Sequence, residues 1–174
     1  MAVSVWLRRV VRFRVSVGFV LASIAFWFAR PSWLSLGAGA VVACVGELLR
    51  VWAAGHLEKG SEVTISGPYR WMKHPLYVGS SLLGIGFAVA SRHTVVAVII
   101  MVYLTVSLLV AARLEEANLR VKFGDAYDCY VAGTVDDSDR AYLLARVRRN
   151  GEVQTVMGIL AALGILVFKI IGVH

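Results

Sequence analysis

Two polar clusters in an otherwise apolar chain contain residue types that could bind a small charged ligand. The first ends in His74, which directly precedes Pro75, and the second is the acidic pair Glu115-Glu116. Aromatic residues accompany both clusters, and these are Tyr69, Trp71, Tyr77 and Phe123. An imidazole, two carboxylates and several aromatic rings suit a cofactor that has cationic, hydroxyl-bearing and planar parts.

A single apolar hairpin separates the two clusters in the chain. Pro75 suits the first position of a helix, where its missing N–H group costs nothing. The apolar run from 94 to 112 should continue as a helix beyond residue 112, because nothing interrupts it before Gly124. Both clusters are therefore predicted to lie at the same end of one helical hairpin.

Composition indicates an integral membrane protein. The chain has 174 residues, of which 59% are hydrophobic, whereas soluble domains contain about 45 to 50%. We predict an all-α membrane bundle that forms a single domain over residues 1–174. The formal charge of +7 does not indicate nucleic-acid binding, because the basic residues stand between apolar runs instead of forming one wet face.

Five membrane spans are predicted, with the catalytic core over residues 56–132. The spans cover about residues 15–29, 33–55, 76–91, 94–112 and 153–173. Residues 133–150 are predicted to form a polar connection. Its acidic run, residues 136–139, is interpreted as a solvated loop, with cation binding as the alternative.

The basic residues predict the orientation. All but three of the 18 Lys and Arg residues fall on the side of the amino terminus, and the exceptions are Arg30, Arg92 and Lys169. By the positive-inside rule this side is cytoplasmic, so the amino terminus and the cofactor pocket face the cytoplasm. The four arginines between residues 8 and 14 are interpreted as a retained cytoplasmic anchor.

Charged residues within the second span have two interpretations. Glu47 and Arg50 lie three residues apart, on one face of a helix. They could form a structural ion pair near the interface or a functional site, since charges at this depth are costly unless they are paired or wet. Small residues in the same span, Gly39 and Gly46 among them, predict close approach of another helix.

Four motifs follow one another between residues 67 and 130. They are Gly67-Pro68-Tyr69, Lys73-His74-Pro75-Leu76-Tyr77-Val78-Gly79, Glu115-Glu116-Ala117-Asn118-Leu119 and Phe123-Gly124-Asp125-Ala126-Tyr127-Asp128-Cys129-Tyr130. In order and spacing they resemble the GPY, RHPxYxG, EExxL and FGxxYxxY pattern of the isoprenylcysteine carboxyl methyltransferase family. Phospholipid methyltransferases share that signature, and the stretch from Gly46 to Gly55 looks like bacterial members.

The resemblance implies a multi-pass enzyme of the bacterial inner membrane that uses S-adenosyl-L-methionine without a Rossmann domain. The cofactor-binding residues that it implies are Tyr69, His74, Pro75, Leu76, Tyr77 and Glu115, together with the upstream residues Ser61, Glu62, Val63 and Thr64. It implies that Arg113 contacts the substrate. No catalytic side chain is assigned, because a sulfonium methyl donor carries its own leaving group. No metal ligand is assigned, because the two cysteines form no CxxC motif and have no histidine at ligand spacing.

The expected reaction is carboxyl O-methylation of an isoprenylcysteine-like acceptor, a lipidic or prenylated small molecule that lies among the membrane lipids. Three alternatives stay open: a phospholipid N-methyltransferase, an NADPH-dependent enzyme like the sterol reductases, and a non-catalytic membrane protein. On the non-catalytic interpretation, His74 caps a helix and Glu115-Glu116 is a solvated helix face. Tyr127 and Tyr130 are interpreted as interfacial anchors.

Overall fold

The computed structural model describes residues 5–134 and 140–172, with side chains from residue 16 onward. The described residues form helices and the loops that connect them, without strands. Its elements are α1 (Val5–Phe28), α2 (Trp33–His56), a 3₁₀ helix (Gly67–Arg70), α3 (Pro75–Ser91), α4 (Thr94–Phe123), α5 (Asp125–Ala132), α6 (Leu144–Arg149) and α7 (Glu152–Gly172). The acidic run at 136–139, the side chains of the arginines between residues 8 and 14, and residue 173 lie outside the described residues.

The predicted spans fall on five of these helices, and the all-α prediction is confirmed. Helix α1 begins at Val5, ten residues before the predicted start of the first span. Helix α4 continues to Phe123, as the absence of an earlier breaker predicts. The predicted polar connection from 133 to 150 contains a short helix, α6, which the sequence interpretation missed.

Three of the helices are long and apolar enough to cross a membrane, namely α2, α4 and α7. The apolar part of α1, Ser16–Phe28, and helix α3 are shorter apolar helices. With its 17 residues, α3 is about 26 Å long, a little less than the ~30 Å of a hydrocarbon core. The described chain is that of a membrane protein, and the number of five spans is approximate.

Helices α2 and α3 approach each other closely through glycines. A Cβ atom on Gly46 would lie 2.7 Å from the carbonyl oxygen of Gly79, and one on Gly86 would lie 2.6 Å from that of Gly39. A side chain at any of these positions would push the helices apart, so the small-residue pattern functions here as a helix–helix contact. This contact fixes the start of α3 beside the end of α2.

Arg50 joins α7 to this pair of helices. Its guanidinium donates to both carboxylate oxygens of Glu152, at 2.8 and 3.0 Å, and to the hydroxyl of Ser80 at 2.5 Å. The nearest oxygen of Glu47 lies farther away, at 3.4 Å from Nε of Arg50. The predicted Glu47/Arg50 pair is therefore secondary to a buried ion pair between α2 and the first residue of α7.

Helix α6 is attached to the end of α2 by polar contacts. Glu58, two residues beyond α2, accepts hydrogen bonds from Arg146 at 2.6 Å and from Arg149 at 2.5 Å. The side-chain amide of Asn150 donates to the carbonyl oxygens of Ala54 and Leu57. The two bonds from Asn150 satisfy carbonyl groups at the end of α2, where a helix leaves its last carbonyls without intrahelical partners.

Candidate cofactor and acceptor site

The start of α3 is determined by the dipeptide His74-Pro75. Proline disfavours helical backbone at the preceding residue, and His74 accordingly lies outside the helix, with φ −131° and ψ 60°. Pro75 is the buried first residue of α3, and the carbonyl oxygen of Leu76 accepts a hydrogen bond within the helix, from Ser80. The imidazole of His74 stacks on the ring of Tyr77, with centroids 5.3 Å apart and planes inclined by 23°.

Both carboxylates of the acidic pair on α4 reach this corner. Nε2 of His74 lies 2.9 Å from a carboxylate oxygen of Glu116, and the hydroxyl of Tyr77 donates to Glu115 at 2.6 Å. Nδ1 of His74 lies 3.9 Å from the same oxygen of Glu115. We call the four residues His74, Tyr77, Glu115 and Glu116 the His–Glu cluster.

The His–Glu cluster is acidic and accessible. It contains two carboxylates against one imidazole, and the side chains of Glu115 and Glu116 are 46% and 36% exposed. Solvent-exposed carboxylates can exchange their present hydrogen-bond donors for the donors of a ligand at little desolvation cost. The cluster is thus suited to cationic and hydroxyl-bearing ligands, which would lie against the stacked rings of His74 and Tyr77.

Tyr69 lies in the 3₁₀ helix ahead of this corner and is buried. Its carbonyl oxygen accepts a hydrogen bond of 2.8 Å from the hydroxyl of Tyr130 on α5. Burial, and secondarily the charge of Glu115, raises the pKa of the Tyr69 hydroxyl, and burial raises the pKa of Tyr130 to about 12. Both phenols therefore remain neutral hydrogen-bond donors at physiological pH.

The turn that leads into Tyr69 depends on a glycine and a buried histidine. Gly67 has φ +60°, and a Cβ atom there would lie 2.5 Å from the ring of His56 at the end of α2. Nδ1 of His56 lies 3.2 Å from the hydroxyl of Ser66, the residue whose carbonyl accepts the N–H of Tyr69. Only glycine fits both the backbone angle and the space, so α2 fixes the position of Tyr69.

The upstream residues 61–64 form a loop beside the site. The hydroxyl of Thr64 is buried and accepts the N–H of Glu58, and that of Ser61 donates to the carbonyl of Glu58. Glu62 forms an ion pair with Arg140, and Val63 is half-buried. The described polar contacts of this loop thus go to Glu58 and Arg140, and a cofactor contact by residues 61–64 stays a prediction.

Arg113 is exposed on α4, two residues before Glu115. Residues two apart point to nearly opposite sides of a helix, whereas residues three apart share a face. Arg113 is therefore on the face of Glu116 and turned away from Glu115. This placement fits a role of Arg113 in binding the acceptor next to the His–Glu cluster, and not in binding the cofactor within the cluster. The contact of Arg113 with the substrate stays a prediction.

Two contacts were missed by the sequence interpretation. Glu116 was treated only as part of a motif, yet it is the carboxylate that contacts His74. Tyr130 was interpreted as an interfacial anchor, yet its hydroxyl supports the backbone of Tyr69. The adjacent glutamates and the repeated tyrosines were the available signals, but their pattern does not say which member contacts which partner.

Comparisons with known proteins agree with the motifs. The family model described as phospholipid methyltransferase matches residues 13–126, which include every residue of the His–Glu cluster. The cobalt-zinc-cadmium resistance protein CzcN of Cupriavidus metallidurans is 43% identical over 82 residues, in a match that covers 41% of this chain. That match covers 36% of CzcN, about a third of its length. No solved structure matches the chain significantly.

Proposed function

Because the chain belongs to the phospholipid methyltransferase family, we propose that it transfers a methyl group from S-adenosyl-L-methionine to the carboxylate of an isoprenylcysteine-like, lipidic acceptor. Membership in this family gives the reaction class, methyl transfer, and the membrane location. The observation that supports the finer proposal is the His–Glu cluster, in which α3 and α4 present carboxylates, an imidazole and a phenol together.

The cluster fits the parts of this cofactor. Glu115, which is half exposed, would accept hydrogen bonds from the ribose hydroxyls or the amino group. The faces of His74 and Tyr77 would contact the adenine or the sulfonium, a contact worth about 0.5 to 2 kcal/mol. When bound, the cofactor supplies a methyl group on a positively charged sulfur that departs as a neutral thioether.

The chain's contribution to the reaction is mainly orientation. With the cofactor held by Glu115, His74 and Tyr77, a carboxylate oxygen of the acceptor would displace the neutral thioether from the methyl carbon, and the electron pair of the broken carbon–sulfur bond would stay on sulfur. This single displacement would transfer no proton, so the chain need not supply a general base at neutral pH. Holding the two reactants in line can supply about 7 to 11 kcal/mol of the barrier reduction, and Arg113, which is turned away from Glu115, would hold the acceptor carboxylate.

A phospholipid amine is the second candidate acceptor, and the contact between His74 and Glu116 favours it. An amine must lose a proton when it is methylated, and an imidazole paired with a carboxylate is suited to accept that proton. We place the cluster on the cytoplasmic side of a bacterial inner membrane, in agreement with the charge distribution of the chain. A lipidic acceptor would then enter from the membrane lipids.

The proposal is tested with membranes that contain the protein, a labelled methyl donor and a panel of lipidic acids, amines and thiols. We expect label in a base-labile ester of the acids, and loss of that label in Glu115→Gln and His74→Asn. Label in the amines instead would favour the second candidate. Calorimetric titration with S-adenosylhomocysteine and with NADPH completes the test, because binding of NADPH alone would support a reductase and binding of neither would refute the proposal.

A further inference from the structure

A cavity of about 260 Å³ lies between α1, α3, α4 and α7, in the half of the bundle away from the His–Glu cluster. The wall on α3 consists of Gly84, Phe87 and Ser91, all in the second half of that helix. Apart from the hydroxyls of Ser91 and Tyr103, the side chains that line it are apolar. An apolar cavity of about 150 Å³ suffices for a benzene molecule, so this one has room for several carbon atoms of a hydrocarbon chain.

The cavity exists because α1 presents small residues to it. Gly18, Ala22, Ala25 and Ala29 recur at helical spacing along the wall. In membranes such residues usually permit close helix packing. Helix α1 approaches α4 closely at Gly18, where a Cβ atom would lie 2.6 Å from the hydroxyl oxygen of Tyr103. Beyond this contact the short side chains of Ala22, Ala25 and Ala29 form the wall of the cavity, and Ala25 and Ala29 are buried.

The cavity is closed at its far end by the core of the bundle. Ala29 and Leu166 belong to the cavity wall and also to the buried cluster that includes Leu36, Ala90 and Ile170. The two helices that form the His–Glu cluster, α3 and α4, form walls of the cavity as well. A chain that enters along these helices from the cluster would therefore end against the core.

The distance between cluster and cavity matches the length of a lipid tail. Gly84 lies seven residues beyond Tyr77 on α3, about 10 Å along the axis, and Leu104 lies eleven residues before Glu115 on α4, about 16 Å. One lipid tail spans about 15 Å, half of the ~30 Å hydrocarbon core. The tail of an acceptor whose polar group lies at the cluster would reach the cavity with its last carbons.

We propose that this cavity receives the distal end of the acceptor's hydrocarbon tail and thereby selects acceptors by tail length. The inference rests on the proposed methylation of a lipidic acceptor. Because the competing environment of the tail is also hydrocarbon, selection comes from fit and packing instead of removal from water. We expect a preference of about tenfold in kcat/KM for tails that reach the cavity over tails that stop short of it, the low end of what a misfit in an apolar pocket costs.

The test fills the cavity and varies the tail. Ala22→Phe fills it from α1 and Ile100→Trp from α4, and the matched controls are Ser23→Phe and Val98→Trp, neighbours on the same helices that do not line it. Acceptors with one head group and tails of increasing length are compared. We expect both filling variants to lose the preference for long tails while turnover of the shortest acceptor is unchanged, and both controls to behave as the unmodified protein. Retention of the preference, or an equal fall for all tail lengths, would overturn the inference.

A readout independent of turnover separates the two proposals. An acceptor with a photoactivatable group at the end of its tail should label α1 and α4 peptides around Ala22 and Ile100, and filling the cavity should remove the label. If this labelling occurs in a protein that methylates none of the acceptors, the proposed function fails and the cavity assignment stands. If methylation occurs without the labelling, or if a bilayer phospholipid with the same group labels equally well, the cavity does not select the acceptor.

Discussion

Tyr77, in the first turn of α3, donates its hydroxyl hydrogen to Glu115 near the end of α4 across 2.6 Å. The two residues are 38 positions apart, and only the hairpin between them brings them together. This bond holds one carboxylate of the His–Glu cluster while leaving it partly exposed. It therefore defines the position from which Glu115 would meet a ligand.

Replacing Glu115 should weaken cofactor binding most. Hydrogen bonds to a charged group contribute about 1.5 to 3 kcal/mol, so Glu115→Gln should raise the Kd for S-adenosylhomocysteine by about 10- to 100-fold. Tyr77→Phe keeps the ring and should cost only severalfold. Asp128→Asn is the control, because Asp128 is exposed and pairs with Arg120. Unchanged affinity in Glu115→Gln would contradict the assignment, as would an equal loss in the control.

The role of His74 can be determined by comparing acceptors in its variant. If the imidazole only positions the ligand, His74→Asn should lower kcat/KM for carboxylate and amine acceptors by a similar factor. If it removes a proton from an amine acceptor, the loss should be much larger for amines than for carboxylates. Thermal unfolding of the variant in detergent provides the control for folding.

Arg113 should affect the acceptor but not the cofactor. Arg113→Ala removes a charge-assisted contact to the acceptor carboxylate and should raise the acceptor KM about tenfold or more. Arg113→Lys should restore part of the loss, since the charge returns without the planar fork. Arg148→Ala, at an exposed position on α6, controls for the loss of a positive charge. An effect on S-adenosylhomocysteine binding as large as that on KM would contradict this role.

The ion pair between Arg50 and Glu152 should matter for stability. Glu152 is 4% exposed, and removing one partner of a buried pair costs about 3 to 5 kcal/mol because the other charge is left uncompensated. Thermal unfolding in detergent should show a markedly lower Tm for Glu152→Gln. The triple variant Arg50→Leu, Glu152→Leu, Glu47→Gln should recover most of the loss, because Glu47 also pairs with Arg50 and would otherwise be left as a buried charge. Breaking the exposed pair of Arg120 and Asp128 should change Tm little.

Acid should loosen the attachment of α6 through Glu58. Hydrogen bonds from Arg146 and Arg149 lower the pKa of the Glu58 carboxyl below its usual range. A carboxylate whose pKa is lower in the folded state contributes stability above its unfolded pKa, and this contribution is lost as the pH falls through the folded value. The Tm difference between the unmodified protein and Glu58→Gln should therefore be full at neutral pH and shrink below about pH 4.5. A difference independent of pH would contradict this.

The sequence predicted the elements of the site wherever the signal was local. Pro75 starts α3 and Gly124 ends α4, because a missing N–H group and a positive φ of 48° are properties of single residues. The apolar composition predicted the membrane helices because this signal is local as well. Each turn of a lipid-facing helix is surrounded by the same hydrocarbon and therefore needs apolar side chains. The motifs predicted the family, and its match covers both clusters. That residues 1–174 form one domain stays a prediction.

Partners that are distant in the chain were decided by the tertiary structure alone. The sequence paired Arg50 with Glu47, three residues away, and that contact is present at 3.4 Å, but the hydrogen bonds of Arg50 to a carboxylate go to Glu152, 102 residues away. Adjacent glutamates are equivalent in a motif, but one helix residue turns the side chain by about 100°, which directs Glu116 to His74 and Glu115 to Tyr77. The cavity beside α1 likewise depends on how far one helix stands from its neighbours. Local patterns determine which elements form, whereas the rotation and spacing of the packed helices determine which side chains meet.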